Sequence, residues 1–354
     1  MPDKQNDTND KSIEIQFERE KLKKTMGEST PEPEIVKKEF VPNFFPTYRI
    51  SRRFYPLPII IVIFCAGFLA YVTYVLAGVQ IEGGYVSEEE HGIAAGLING
   101  LIFVGIAAIS SFIIIFLVKK GGIDVLKYIF GFSFGLLGFI LTLFFGGIII
   151  FLLFLYLPEI FITSYIISSY ILLFGTGVFT MLIIYRYFTA KSILTKNLII
   201  LYISILTGAF FGILMPLWTT LAILIGISLW DIFAVKSKRG PIKEMIDIAS
   251  QNSLSDDLTE EELQEKIDSG EMIYDTSKLE IGIGDLAFYS MLTSAALIIT
   301  GSLIVMILTT IAIMIGTGIT IQGLKKNKIL PGLPISIFLG ISTMLLSWYI
   351  VSIL

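Results

Sequence analysis

Long apolar runs separated by short polar stretches account for most of this chain after residue 55. A helix that crosses the hydrocarbon core of a bilayer needs about 20 such residues. The first run is Pro56 to Gly78 and the second Gly92 to Val118; the third, Tyr128 to Pro158, is longer, and the fourth is Ile160 to Tyr185. Leu198 to Val235 is too long for one span, and Pro216 divides it into a fifth and a sixth. Ile281 to Leu324 is also two spans, separated at Gly301-Ser302, and Leu330 to Leu354 makes the ninth. The pattern predicts an all-α polytopic membrane protein of nine transmembrane helices. Span three is expected either as one tilted helix or as a helix broken near Gly146-Gly147.

The polar segments complete the division. Residues 1–53 mix charges with Pro31-Glu32-Pro33-Glu34 and read as a disordered tail. Residues 54–235 hold spans one to six, 236–280 form a polar loop, and 281–354 hold spans seven to nine. Inside the loop, Pro241 opens a short amphipathic pattern and Thr259 with Glu262 has the form of a capping box. Met272 to Ile281 turns strand-like. Because the chain opens on a polar tail, no cleaved leader is expected.

Charge fixes an orientation. Lys and Arg follow spans two (Lys119, Lys120), four (Arg186, Lys191, Lys196), six (Lys236, Lys238, Arg239, Lys243) and eight (Lys325, Lys326, Lys328). The loops after spans one, three, five and seven have none, and neither has the C-terminus. By the positive-inside rule the N-terminal tail is cytoplasmic and the C-terminus outside. Losing or adding one span would destroy the alternation.

Composition removes several classes of chemistry. Of 354 residues, 54% are hydrophobic and 16% charged, with a mean hydropathy of +0.80. Soluble domains carry about 25% charge, so an ordinary soluble enzyme is excluded. One His (His91) and one Cys (Cys65) cannot build a zinc centre or an internal disulfide, and they leave a Ser-His hydrolase nearly no base. No cofactor or metal is implied. A net charge of −4 gives no sign of nucleic acid.

Only eight acids lie outside the tail and the polar loop. Glu82, Glu88 to Glu90, Asp124 and Glu159 have an ordinary interfacial reading. Asp231 and Asp285 do not, because both are embedded in apolar sequence, where a carboxylate costs a few kcal/mol. Asp231 lies about five residues, roughly 7–8 Å, inside the basic end of span six. Asp285 occupies the first turn of span seven on the same side. The two carboxyls can therefore meet at one depth. Such a pair can share a proton, one member activating water while the other hydrogen-bonds a scissile carbonyl. Position alone leaves open two other uses, as structural hydrogen-bond donors or as a carboxylate-based path for a proton-coupled transporter or cation channel.

Three motifs bear on that choice. Trp230-Asp231, continuing as Ile232-Phe233-Ala234-Val235, resembles the Tyr-Asp motif of the presenilin family of intramembrane aspartyl proteases, with Trp for Tyr. Gly282-Ile283-Gly284-Asp285 is similar to its Gly-x-Gly-Asp motif. Pro331-Gly332-Leu333-Pro334 resembles its Pro-Ala-Leu motif, with Gly332 in the place of Ala. The motifs fall in order on spans six, seven and nine. Signal peptide peptidases share the two Asp motifs but have the opposite orientation, so the likeness is to the presenilin branch.

The resemblance implies an aspartic endopeptidase that cuts single-span substrates within the bilayer, with Asp231 and Asp285 catalytic. Gly282, Gly284, Trp230 and Pro331 to Pro334 would hold the substrate, which pairs as a strand beside Met272–Ile281. A second reading of Gly282 and Gly284 is that they serve tight helix packing. The short loops resemble those of archaeal members, which implies the cell membrane of an archaeon and no need of accessory subunits; self-association is left open.

Overall fold

In the computed structural model the described residues are 34–36, 46–122, 125–155, 162–189, 192–237, 272–274, 278–324 and 331–353. They contain nine helices long and apolar enough to cross a membrane. We label them α1 (Pro56–Tyr71, continuing as a π-helical turn, Val72–Leu76), α2 (Glu88–Gly121), α3 (Val125–Leu155), α4 (Ile162–Thr189), α5 (Ile193–Leu214), α6 (Leu217–Lys236), α7 (Ile283–Thr300), α8 (Leu303–Leu324) and α9 (Leu333–Ile353). The strands are β1 (Glu34–Val36), β2 (Thr47–Ser51), β3 (Met272–Tyr274) and β4 (Lys278–Gly282).

The helix ends fall where backbone chemistry requires. Pro216 is the N-cap of α6, one residue after α5 has closed on Met215. Gly301 ends α7 in the left-handed conformation, φ 64°, and its amide returns to the Leu297 carbonyl. Gly92 interrupts α2 at φ 55°, so the membrane-crossing part begins after a short turn that carries Glu88. α3 runs through Gly146 and Gly147 without a break, which decides for the single long helix.

Small residues let the central helices touch. A Cβ added to Gly208 of α5 would lie 2.7 Å from the Ser290 Cβ of α7, and one on Gly212 would lie 2.6 Å from the Ser294 Cβ. Without a hydrophobic drive between helices in lipid, this close approach of backbones is a main source of association. Buried hydroxyls mostly bond back to their own helix, as Thr293 does to Tyr289. Asn99 of α2 is buried and satisfied: its amide donates to Val86 and Thr219, and its oxygen accepts from Tyr85 and Val86. Glu88 accepts hydrogen bonds from the Trp218 and Thr219 amides and so caps the first turn of α6.

β1 and β3 form a parallel pair, Glu34 opposite Met272, in a unit of their own. β2 and β4 form an antiparallel ribbon within the helical unit, from Thr47 opposite Gly282 to Ser51 opposite Lys278. Residues 47–53, assigned above to the tail, are therefore a strand and a 3-10 turn, Arg52–Phe54. The reason is an alternation that a distant strand completes: Tyr48 and Ile50 alternate with Thr47, Arg49 and Ser51, and Tyr48 enters the core beside Leu279 and Ile281. The amphipathic pattern at Pro241 and the capping box at Thr259 lie outside the described residues, as do Asp124 and Glu159.

Candidate active site

Asp231 and Asp285 come together at the start of α9. Asp231 sits about one and a half turns from the end of α6 at Lys236, one residue after Trp230. Its Oδ2 accepts the Leu333 amide at 3.2 Å, and its carboxyl also takes a hydrogen bond from the Gly332 amide. These amides belong to the first turn of α9, which leaves them without an intrahelical acceptor.

Asp285 is the third residue of α7, and Gly282 is the N-cap. The carboxyl reaches back to the Gly282 amide, as an acidic group at that position of a capping box does. It also lies against Gly332, where an added Cβ would stand 3.0 Å from Oδ2 and 3.5 Å from Cγ. Both carboxyls thus touch residues 332–333, and their charges interact. Each is half-buried, so neither is sealed from solvent nor set out in it.

A hydroxyl network fixes the turn that the carboxyls share. Tyr289, one helical turn after Asp285, is buried, and its hydroxyl donates to the Gly332 carbonyl at 3.3 Å. The same hydroxyl is 3.2 Å from Ser336 Oγ, which lies 3.1 Å from Thr317 Oγ1 of α8. Gly316 admits α9 at this level, since a Cβ there would be 2.9 Å from the Ser336 nitrogen. α7, α8 and α9 are therefore tied together beside the carboxyls. Sequence reasoning missed Tyr289, Thr317 and Ser336 as supports; the one available signal was the spacing of four between Asp285 and Tyr289, which puts them on one helix face.

The remaining expected site residues divide. Pro331, Leu333 and Pro334 are buried in the α9 turn with Gly332. Cβ atoms on Gly282 and Gly284 would meet only ordinary contacts, 3.6 Å from Asp285 and 3.9 Å from Phe288. Tight packing between helices is therefore not what these two glycines serve, unlike Gly208 and Gly212. Trp230 packs its ring on Phe112 of α2 and Phe233 of α6, with centroids 5.9 and 5.2 Å away. No group of three His, Cys, Asp or Glu side chains that could hold a metal occurs among the described residues.

The presenilin family model matches residues 82–255 and 250–354, which include both acids and the turn between them. The chain belongs to the presenilin family. Presenilin-B of Dictyostelium discoideum is 35% identical over 133 residues, 36% of this chain and 25% of that protein. A presenilin-like protein of Arabidopsis thaliana is 26% identical over 313 residues, 69% of this chain and 76% of its own length. The chain thus spans a quarter of the first relative and about three quarters of the second. A solved structure of a presenilin family intramembrane aspartate protease superimposes with a TM-score of 0.52 at 16% identity, covering 83% of this chain and 96% of that one. This presenilin-family protein shares that fold and is a multi-pass membrane protein.

Proposed function

We propose that this presenilin-family chain is an intramembrane aspartyl endopeptidase, with Asp231 and Asp285 its catalytic pair. The observation that carries the reading is that both carboxyls converge on one two-residue segment, Gly332-Leu333, of a third helix. Structural hydrogen-bond donors have no reason to converge there, whereas two acids acting on one bond must.

The chemistry follows from the pair. The ionised carboxyl takes a proton from a water, whose oxygen attacks the peptide carbonyl. The protonated carboxyl hydrogen-bonds the carbonyl oxygen and stabilises the oxyanion as it forms. Collapse of the tetrahedral intermediate breaks the C–N bond, with a proton passed to the leaving amine. One water is consumed, and a new carboxyl and a new amine result.

A transmembrane helix hides its carbonyls in internal hydrogen bonds and must be unwound first. The unwound segment needs backbone partners in a medium that has no water to supply them. Strand addition along β4 supplies them on one side and the turn at Pro331–Pro334 borders the other. Gly282 and Gly284, with no neighbour in close contact, leave room for that backbone. Trp230 lines the route beside Asp231. Substrates are single-span membrane proteins, and the chain acts without accessory subunits. The Lys and Arg alternation supports a cytoplasmic N-terminus, with the carboxyls toward the inner leaflet.

The test is cleavage of a single-span substrate by the purified chain in detergent. Asp231→Ala and Asp285→Ala should each abolish it, and the wild-type rate should be bell-shaped in pH with two apparent pKa values belonging to the pair. Full activity in either variant would end the proposal. So would the absence of cleavage together with an Asp-dependent ion flux in liposomes.

A further inference from the structure

The ribbon that leads into Asp285 has two unlike edges. In β2–β4 the ladder continues past Thr47 and Gly282, because the Ile283 amide donates to the Pro46 carbonyl at 3.1 Å. Hydrogen-bonded pairs alternate along an antiparallel ladder. Tyr48 with Ile281 and Ile50 with Leu279 therefore exchange the inner bonds, while Arg49 and Glu280 turn their N–H and C=O groups outward. The outward groups of Arg49 confirm the parity. Its amide donates to the Asn197 Oδ1 at 2.9 Å, and its carbonyl accepts from Asn197 Nδ2 at 2.7 Å.

Asn197, in the first turns of α5, thus bonds the outer edge of β2 as a neighbouring strand would. The ribbon is pinned again across its polar face. Arg49 Nε lies 3.1 Å from Glu280 Oε1, and Thr47 Oγ1 donates to Glu280 Oε2 at 3.0 Å. The opposite face, Tyr48, Leu279 and Ile281, is in the core. The sealed edge is that of β2. On the β4 edge, the outward N–H and C=O of Glu280 have no backbone partner among the described residues, and Asp285 is five residues further on.

We propose that β2 is a positioning element of the proteolytic site, with Asn197 and Arg49 as its positioning residues. The segment before the first span fixes the height of β4, so that an unwound substrate pairing on the Glu280 edge presents one particular bond to the carboxyls. Asn197 denies the substrate the other edge. This rests on the proteolytic reading above and adds to it a determinant of cleavage register, carried by residues that touch neither substrate nor reacting atoms.

The experiment is mass-spectrometric mapping of every bond cut in one single-span substrate, with kcat and KM for each product. Asn197→Ala removes the two edge bonds and should raise KM about tenfold and spread cleavage to bonds one to three residues away, while kcat at the main bond changes far less. Asn197→Gln, which keeps the carboxamide, should restore part of the register. Arg49→Gln removes the ion pair with Glu280 and keeps the backbone bonds to Asn197; it should give the same spread, smaller, near threefold in KM. A merely structural role lowers the amount of active protein and leaves the cut positions unchanged. Wild-type positions and KM in both Asn197→Ala and Arg49→Gln would overturn the proposal while leaving the protease reading intact. Loss of folding in both variants would overturn it too, since β2 would then be only a structural strand. Absence of cleavage by the wild-type chain would overturn both readings.

Discussion

Two halves of the bundle are built from the same apolar vocabulary and behave differently. In α5 and α7, 56% of the most apolar stretch is buried, and Gly208, Gly212, Ser290 and Ser294 bring the backbones together. In α2 the share is 11% and in α4 it is 17%, with Phe174 81% exposed. The lipid-facing surface of the outer helices need only be apolar, because lipid accepts any such side chain; the exception is the edge where α2 meets α6, with Cβ atoms added to Gly96 and Gly100 falling 2.4 Å from the Cβ atoms of Trp218 and Ala222. The inner ones must fit each other; Asp285 stands on the inner set, and Asp231 on α6, where the buried share is 39%. Hydropathy finds both halves, while the small residues mark where helices meet, between α5 and α7 and between α2 and α6.

This contrast can be broken at several points. The largest effect is expected from Gly208→Leu, which forces a side chain into Ser290 and the Ala287 carbonyl. Overpacking of this kind costs about 1–3 kcal/mol and often more, so the variant should unfold at markedly lower temperature in detergent or fail to fold. Phe174→Ala in α4 should leave the melting temperature within a few degrees. Equal losses in the two variants would refute the contrast.

Next comes Tyr289→Phe. It leaves the Gly332 carbonyl and Ser336 short of a partner at the turn that both acids touch. A buried group so deprived costs about 1–3 kcal/mol. We expect kcat to fall about tenfold and the melting temperature to drop by a few degrees. A normal kcat would show that the hydroxyl network does not position the site.

Gly332→Ala is milder. Its methyl would meet the Asp285 carboxyl at 3.0 Å, so the carboxyl must move by a few tenths of an ångström. A few-fold loss of kcat is expected, against about 100-fold or more for Gly332→Leu, as displacement by 1 Å would produce. Trp230→Tyr should have the smallest effect, about twofold, because it keeps an aromatic ring for the edge contact with Phe112 and the tilted contact with Phe233.

Much of this architecture is legible in the sequence because bilayer thickness sets the length of each apolar run. Pro216 and Gly301 are also visible as breaks, each for a backbone reason that does not depend on neighbours. Asp231 and Asp285 stand out because a carboxylate in apolar sequence demands an explanation. What is not legible depends on contacts between distant segments. β2 is five residues long and looks like the tail it follows until Leu279 and Ile281 give Tyr48 something to pack on. Asn197 and Arg49 are ordinary polar residues until 148 positions of chain bring them together. Glu88 reads as one of several loop acids, and only the fold sets it on the amides of Trp218 and Thr219. Tyr289, Thr317 and Ser336 resemble any hydroxyl in a membrane helix, most of which bond their own backbone.

The central claim is that two acids serve one bond, and isosteric replacement tests it most directly. Asp231→Asn and Asp285→Asn keep the shape of each side chain and remove only its ability to carry and exchange a proton. Each should leave the fold and the melting temperature near wild type and reduce cleavage of a single-span substrate by a factor of about 100 to 10,000 or more. A wild-type rate in either variant would contradict the account.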